Sequence, residues 1–300
     1  MRLYNVAGRA FVAASDRLVD VAEASAGRFA ADPQALYERW DEFRDWAAGL
    51  PADGAPSVDP TCLSAPVPQP RQVFAIGLNY VDHAGESGFA VPTEPVVFTK
   101  FVSSFTGPAG PIALPPGNVD WEVELVAVIG RTASAVPEDR AWSYVAGLTV
   151  AQDLSERASQ LRGPAPQFSL AKSFPGFTPL GPAVVTLDEV ADPDDLAIEC
   201  RVSGETVQSG RTSDMVFPVP ELIARLSRVV TLLPGDVILT GTPPGVGMGR
   251  TPARYLRPGD VLESRIEDVG EMRHHMVTVP PPAREPADDV RGGDEVAALG

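Results

Sequence analysis

Residues 121–129 read Trp121-Glu122-Val123-Glu124-Leu125-Val126-Ala127-Val128-Ile129, a β-branched apolar run entered by two carboxylates. The two-residue period of a strand aims Glu122 and Glu124 at one face, about 7 Å apart along the chain. A third acid, Asp153, follows a second strand-like run from Tyr144 to Ala151. Two readings are open: a strand whose polar face looks into water, or an all-oxygen shell for Mg²⁺, Mn²⁺ or Ca²⁺, completed by water and substrate. The third carboxylate favours the second.

Outward from this run, the chain from Arg71 alternates short β segments with proline and glycine: Val73 to Ile76, Val96 to Thr99, Leu196 to Val202, Val237 to Thr240 and Val261 to Ile266. Helical periodicity stands out only around Pro220 to Val230, through Leu222, Ile223, Leu226 and Val230. Upstream, Arg2 to Val6, Arg9 to Ala14 and Arg17 to Val21 read as a small meander. Asp32-Pro33 then caps an amphipathic helix through Leu36, Trp40, Phe43, Ala47 and Leu50, ending near Gly49. Prolines crowd residues 51–70. The expected organisation is a small N-terminal domain over 1–60, a linker over 61–70, a metal-binding catalytic domain over 71–279 and a disordered tail over 280–300.

The whole chain has 300 residues, 44% apolar and 21% charged, enough for a large core. No uninterrupted apolar stretch exceeds five residues, so no membrane-spanning helix is expected, and the address expected is cytoplasmic. The two cysteines, Cys62 and Cys200, form no CxxC pair. A net charge of −16 repels phosphate backbones and anionic lipid, which argues against nucleic-acid and membrane partners. Of the 24 cationic residues only Lys100 and Lys172 are lysines, so each retained lysine draws notice.

Other chemistries are tested by their motifs. The chain has no GxxxxGK[ST], HExxH or GxSxG signature. The glycine-rich Gly241 to Gly249 follows an apolar strand, but Pro243, Pro244 and Pro252 oppose the helix a dinucleotide turn requires. His274 and His275 sit near the presumed tail and read as solvated. His83 follows a strand-like segment with Glu86 three residues on. An imidazole oriented by a carboxylate is the arrangement of a general base, whereas a histidine merely solvated on a loop is the plainer alternative.

Five ordered motifs then carry a resemblance across about residues 71–279: Gly77-Leu78-Asn79-Tyr80-Val81-Asp82-His83, Asp120 to Leu125, Gln152-Asp153-Leu154-Ser155-Glu156-Arg157, Leu170-Ala171-Lys172-Ser173-Phe174 and Leu239 to Gly247. Together they resemble the fumarylacetoacetate hydrolase family. The resemblance implies a β-rich α+β fold, a mixed multi-layer β-sheet roll with a small N-terminal α/β appendage. It implies Mg²⁺ or Mn²⁺, replaceable by Ca²⁺ in crystals, on Glu122, Glu124 and Asp153. It further implies catalytic roles for His83, Glu86 and Lys172, and substrate contacts from Gln160, Thr242 and Arg157. Two departures, Ala158 for an acid and Pro175 for an Asp, bear on substrate preference.

The activity implied is hydrolysis of a carbon–carbon bond in a β-diketo acid of the acylpyruvate or fumarylpyruvate type, as in aromatic catabolism, by a homodimer acting on a small keto acid. His83 and Glu86 would activate water, and the metal would stabilise the departing enolate. Oxaloacetate decarboxylation and isomerisation or tautomerisation of a 2-hydroxy-diene dioate are the alternatives on the same scaffold. A non-catalytic metal-binding module stands further off, since a structural ion needs neither the His–Glu pair nor the lysine.

Overall fold

The computed structural model describes residues 1–14, 17–50, 58–81 and 91–279. His83, Glu86 and the expected tail over 280–300 lie outside them. The strands are β1 (Arg2–Val6), β2 (Arg9–Ala14), β3 (Arg17–Asp20), β4 (Leu63–Ser64), β5 (Val73–Gly77) and β6 (Val96–Phe98). They continue as β7 (Phe105–Thr106), β8 (Ala109–Leu114), β9 (Val119–Asp120), β10 (Val123–Ile129), β11 (Val145–Gln152) and β12 (Ser155–Glu156). The last are β13 (Thr178–Val185), β14 (Ala197–Val202), β15 (Glu205–Arg211), β16 (Val237–Leu239), β17 (Val261–Ile266) and β18 (Gly270–Thr278).

Two large sheets organise these strands. One has 11 strands in the order β3-β2-β1-β13-β11-β10-β16-β5-β6, with β4 on β1 and β7 on β13. The other has five, in the order β15-β14-β17-β18-β8. The fold is mixed α+β and rich in strand. β10 is buried along its whole length, as a continuous apolar run requires when both faces are covered. Leu125, Ala127 and Ile129 belong to the cluster shared with Ile198, Cys200 and Leu262 of the five-stranded sheet. Val126 and Val128 instead pack with Leu36, Trp40 and Phe43 of the N-terminal helical segment. Alternate side chains of one strand thus serve two cores.

The N-terminal meander is joined to the rest of the 11-stranded sheet by antiparallel pairing of β1 with β13, Arg2 opposite Val185 and Leu3 opposite Val184. The single helix expected over 32–50 is divided into Pro33–Leu36, a 3₁₀ turn at Tyr37–Arg39 and Trp40–Ala47, capped by Asp32 through Gln34 N–H. The division does not interrupt burial of Leu36, Tyr37, Trp40 and Phe43.

Two local expectations are corrected. Residues 178–185, with Pro179, Gly181 and Pro182, escaped notice as a strand, yet β13 lies in the middle of the large sheet. The ladder accommodates the prolines by a register irregularity, pairing Leu148 with Val185 and Val150 with Gly181. The expectation that His274 is solvated also fails: it faces inward from β18, fully buried, with Nε2 3.0 Å from Gly107 O, while His275 beside it is exposed. Strand alternation separates the two rings.

Candidate active site

The three acids converge. Glu122 lies at the entry to β10, Glu124 within it and Asp153 one residue beyond β11, where Asp153 N–H donates to Glu122 O at 2.8 Å. One carboxylate oxygen from each lies within 4.8 Å of the others, and all three side chains are buried. The donor set, hard oxygens at ligand spacing, fits Mg²⁺ or Mn²⁺. Burial, then repulsion from Asp153 and Glu122, pushes the Glu124 carboxyl well above the usual carboxylate range, and Lys172 only partly offsets this. A divalent cation among the three would relieve that repulsion.

Cations surround the cluster. Lys172 Nζ sits 2.5 Å from Glu122 Oε2 and 2.6 Å from Asp153 Oδ2. Burial alone would lower its pKa, but Asp153 and Glu122 outweigh burial and hold it raised. Lys100 Nζ is 2.6 Å from Asp153 Oδ1, and it also donates to the carbonyls of Lys172 and Phe177. Arg157 bonds the Asp120 carboxylate through Nε at 2.9 Å, meets Glu122 Oε1 at 2.7 Å and donates to Gln160 Oε1 at 2.9 Å. Its guanidinium therefore braces the segment that carries Glu122. Asp120 in turn receives the main-chain N–H groups of Gly247 and Met248, tying the glycine-rich loop to the site.

A small pocket opens beside the acids, lined by Glu122, Glu124, Arg157, Gln160, Lys172 and Thr242 with apolar neighbours including Leu78, Phe168 and Met248. Because Gln160 Oε1 accepts from Arg157, its amide nitrogen remains as the donor end of the side chain. The Thr242 hydroxyl donates to Val123 O at 2.8 Å and accepts from Gln208 Nε2 at 2.7 Å. The turn after β5 places Leu78 at φ 57°, a left-handed conformation for a non-glycine residue. Asn79, fully buried, locks that turn through bonds to Thr240 O and to both main-chain groups of Phe217.

The structure thus brings together seven residues singled out in the sequence: Glu122, Glu124, Asp153, Arg157, Gln160, Lys172 and Thr242. His83 and Glu86 are outside the described residues. Sequence reasoning passed over Lys100 as a site residue, although the scarcity of lysine had marked it. It also passed over Asp120, Gln152 and Gln208, whose burial no local pattern discloses.

The chain is similar to known proteins of one family. Residues 72–277 match the family described as fumarylacetoacetate (FAA) hydrolase C-terminal. Over 236 residues the chain is 50% identical to "Oxaloacetate tautomerase FAHD2A, mitochondrial" of Homo sapiens, covering 78% of this chain and 74% of that protein. A solved Mycobacterium smegmatis chain bearing the name HpcE is 58% identical, with a TM-score of 0.89 over 93% of this chain and 100% of that one. Maleylpyruvate hydrolase from Sphingobium sp. SYK-6, solved with manganese(II) and pyruvate, is 29% identical with a TM-score of 0.74, over 93% and 99% of the two chains. On the extent of the family match and the identity to these enzymes, the chain belongs to the fumarylacetoacetate hydrolase C-terminal domain family.

Proposed function

We propose that this protein is a divalent-metal-dependent enzyme that interconverts the keto and enol forms of a 2-oxo dicarboxylic acid of the oxaloacetate type. The observation that carries the reading is the placement of Lys172 on Glu122 and Asp153, beside a pocket lined by Glu122, Glu124 and Lys172, with the Asp153 carboxylate converging on the two glutamates. Identity of 50% to a protein named as an oxaloacetate tautomerase supports the choice among reactions of this scaffold.

Glu122, Glu124 and Asp153 would hold Mg²⁺ or Mn²⁺, which when bound supplies a Lewis acid for the 2-oxo and carboxylate oxygens. Lys172 directs its ammonium into the same pocket, where it stabilises negative charge that develops on the substrate's 2-oxo oxygen. Arg157 fixes Glu122 and orients Gln160, whose amide N–H groups hold a substrate oxygen. His83 would take the proton from the carbon next to the carbonyl, with Glu86 as its carboxylate partner; the C–H bond breaks and a proton returns to the oxygen, so mass is unchanged.

A second reading, hydrolysis of an acylpyruvate, is favoured by the likeness to a maleylpyruvate hydrolase with manganese and pyruvate bound. There His83 would activate water. In either reading the protein works on a small keto acid.

Purified protein stripped of metal and incubated with oxaloacetate and with acylpyruvates, with and without Mg²⁺ or Mn²⁺, tests both. Metal-dependent acceleration of enol decay, followed by ultraviolet absorbance at constant mass, is the expected result. Release of pyruvate with a second carboxylic acid would move the protein to the hydrolases, and pyruvate with carbon dioxide to the decarboxylases. His83→Ala should lower turnover while Mn²⁺ binding persists; full turnover in that variant would sink the role given to His83.

A further inference from the structure

Glu122 stands where β10 runs out of neighbours. On one edge the ladder to β16 reaches Val126 opposite Leu239, with Thr240 N–H on Leu125 O as its last bond. On the other edge, the last pair with β11 is Val123 opposite Gln152. The main-chain groups beyond these points are buried and need partners. Glu122 O takes the N–H of Asp153 at 2.8 Å, and side chains meet the others. Gln152 Oε1 accepts Glu122 N–H at 2.9 Å, and Gln208 Oε1 accepts Val123 N–H at 3.0 Å. The Thr242 hydroxyl donates to Val123 O, and Gln208 Nε2 closes the ring on Thr242.

Both glutamines are at most 1% exposed, and each ties the segment to the five-stranded sheet. Gln208 belongs to β15 of that sheet, and Gln152 Nε2 donates to Ser264 of β17 at 2.9 Å. Main-chain position at 122–123 is therefore set from both sheets at once. A fully satisfied polar network of this kind specifies one arrangement, whereas apolar residues of similar size would leave two amides unpaired.

We propose that Gln152, Gln208 and Thr242 are positioning residues that replace the missing strand ladder and hold Glu122 and Glu124 in register with Asp153 for metal binding. The inference rests on the reading of those three acids as a metal site. Partners that orient ligands typically carry 10–100-fold in metal affinity.

The test is calorimetric titration of Mn²⁺ alone into the full, metal-stripped chain. Gln208→Met should weaken Mn²⁺ binding by about 10–100-fold. Thr242→Val, which removes only a hydroxyl, should weaken it several-fold and serves as the deciding variant if Gln208→Met fails to fold. Ile198→Ala, in the same inter-sheet core but off the frame, should lower thermal stability and leave Mn²⁺ affinity unchanged. Wild-type affinity in Thr242→Val and in any folded Gln208→Met overturns the proposal, as does equal weakening in Ile198→Ala. A wild-type chain that binds no Mn²⁺ overturns the metal reading itself, a separable result.

Discussion

Lys100 shows how much one side chain can depend on its surroundings. Its ammonium has no exposed surface, and burial lowers its pKa while Asp153 partly opposes that effect. It spans Asp153 Oδ1 and the carbonyls of Lys172 and Phe177, so it joins a candidate metal ligand to the segment that carries the second lysine. Removing one partner of a buried pair leaves uncompensated charge and costs about 3–5 kcal/mol. Lys100→Met should therefore lose stability toward the lower end of that range, because Lys172 still faces Asp153; urea unfolding of the metal-free protein checks it. A loss within experimental error would mean that Asp153 needs only one lysine. The scarcity of lysine made Lys100 conspicuous in the sequence, but its partners come from 53 to 77 residues away.

At the scale of elements, the loop after β16 shows why glycine is needed at one position. Gly247 and Met248 N–H groups donate to Asp120 at 2.7 and 3.0 Å. A Cβ on Gly247 would collide with the carbonyl of Arg254 and stand 2.7 Å from Asp120 Oδ1. Gly247→Ala should push the loop off Asp120 and loosen Arg157 in turn. A destabilisation of about 1–3 kcal/mol, the range of small overpacking changes, with weaker Mn²⁺ binding, is the expected outcome in thermal melts and titration. Unchanged melting would show that the loop can shift without strain. The sequence placed this loop correctly after a strand and rejected a dinucleotide turn, since Pro243 and Pro244 preclude the following helix. It did not disclose that Asp120 is what the loop closes on.

For the whole molecule, the buried His274 links acidity to stability. Burial, against a weaker opposing bond to Gly107 O, lowers its pKa from 6.5 to about 4. Between those values the folded protein keeps the ring neutral while the unfolded chain takes up a proton. This contribution to stability is present above pH 6.5, falls as pH drops and levels off below about 4. The difference corresponds to about 3 kcal/mol. His274→Leu should flatten the dependence of unfolding free energy on pH across that window, measured by denaturant titration at successive pH values. An equally steep dependence in the variant would assign the acid sensitivity to carboxylates instead.

The sequence by itself determined the strand character of 123–129, the candidate ligands Glu122, Glu124 and Asp153, and the family to which the chain belongs. These follow from side-chain period, donor chemistry and motif order, which are local properties or properties of order along the chain. The sheet order, the embedding of β13 despite its prolines, the burial of His274 and the frame of Gln152, Gln208 and Thr242 were decided only by the tertiary structure. Each depends on which distant strand supplies the missing hydrogen-bond partner. Such pairings are set by burial and the satisfaction of main-chain groups across the whole molecule, and no local pattern encodes them.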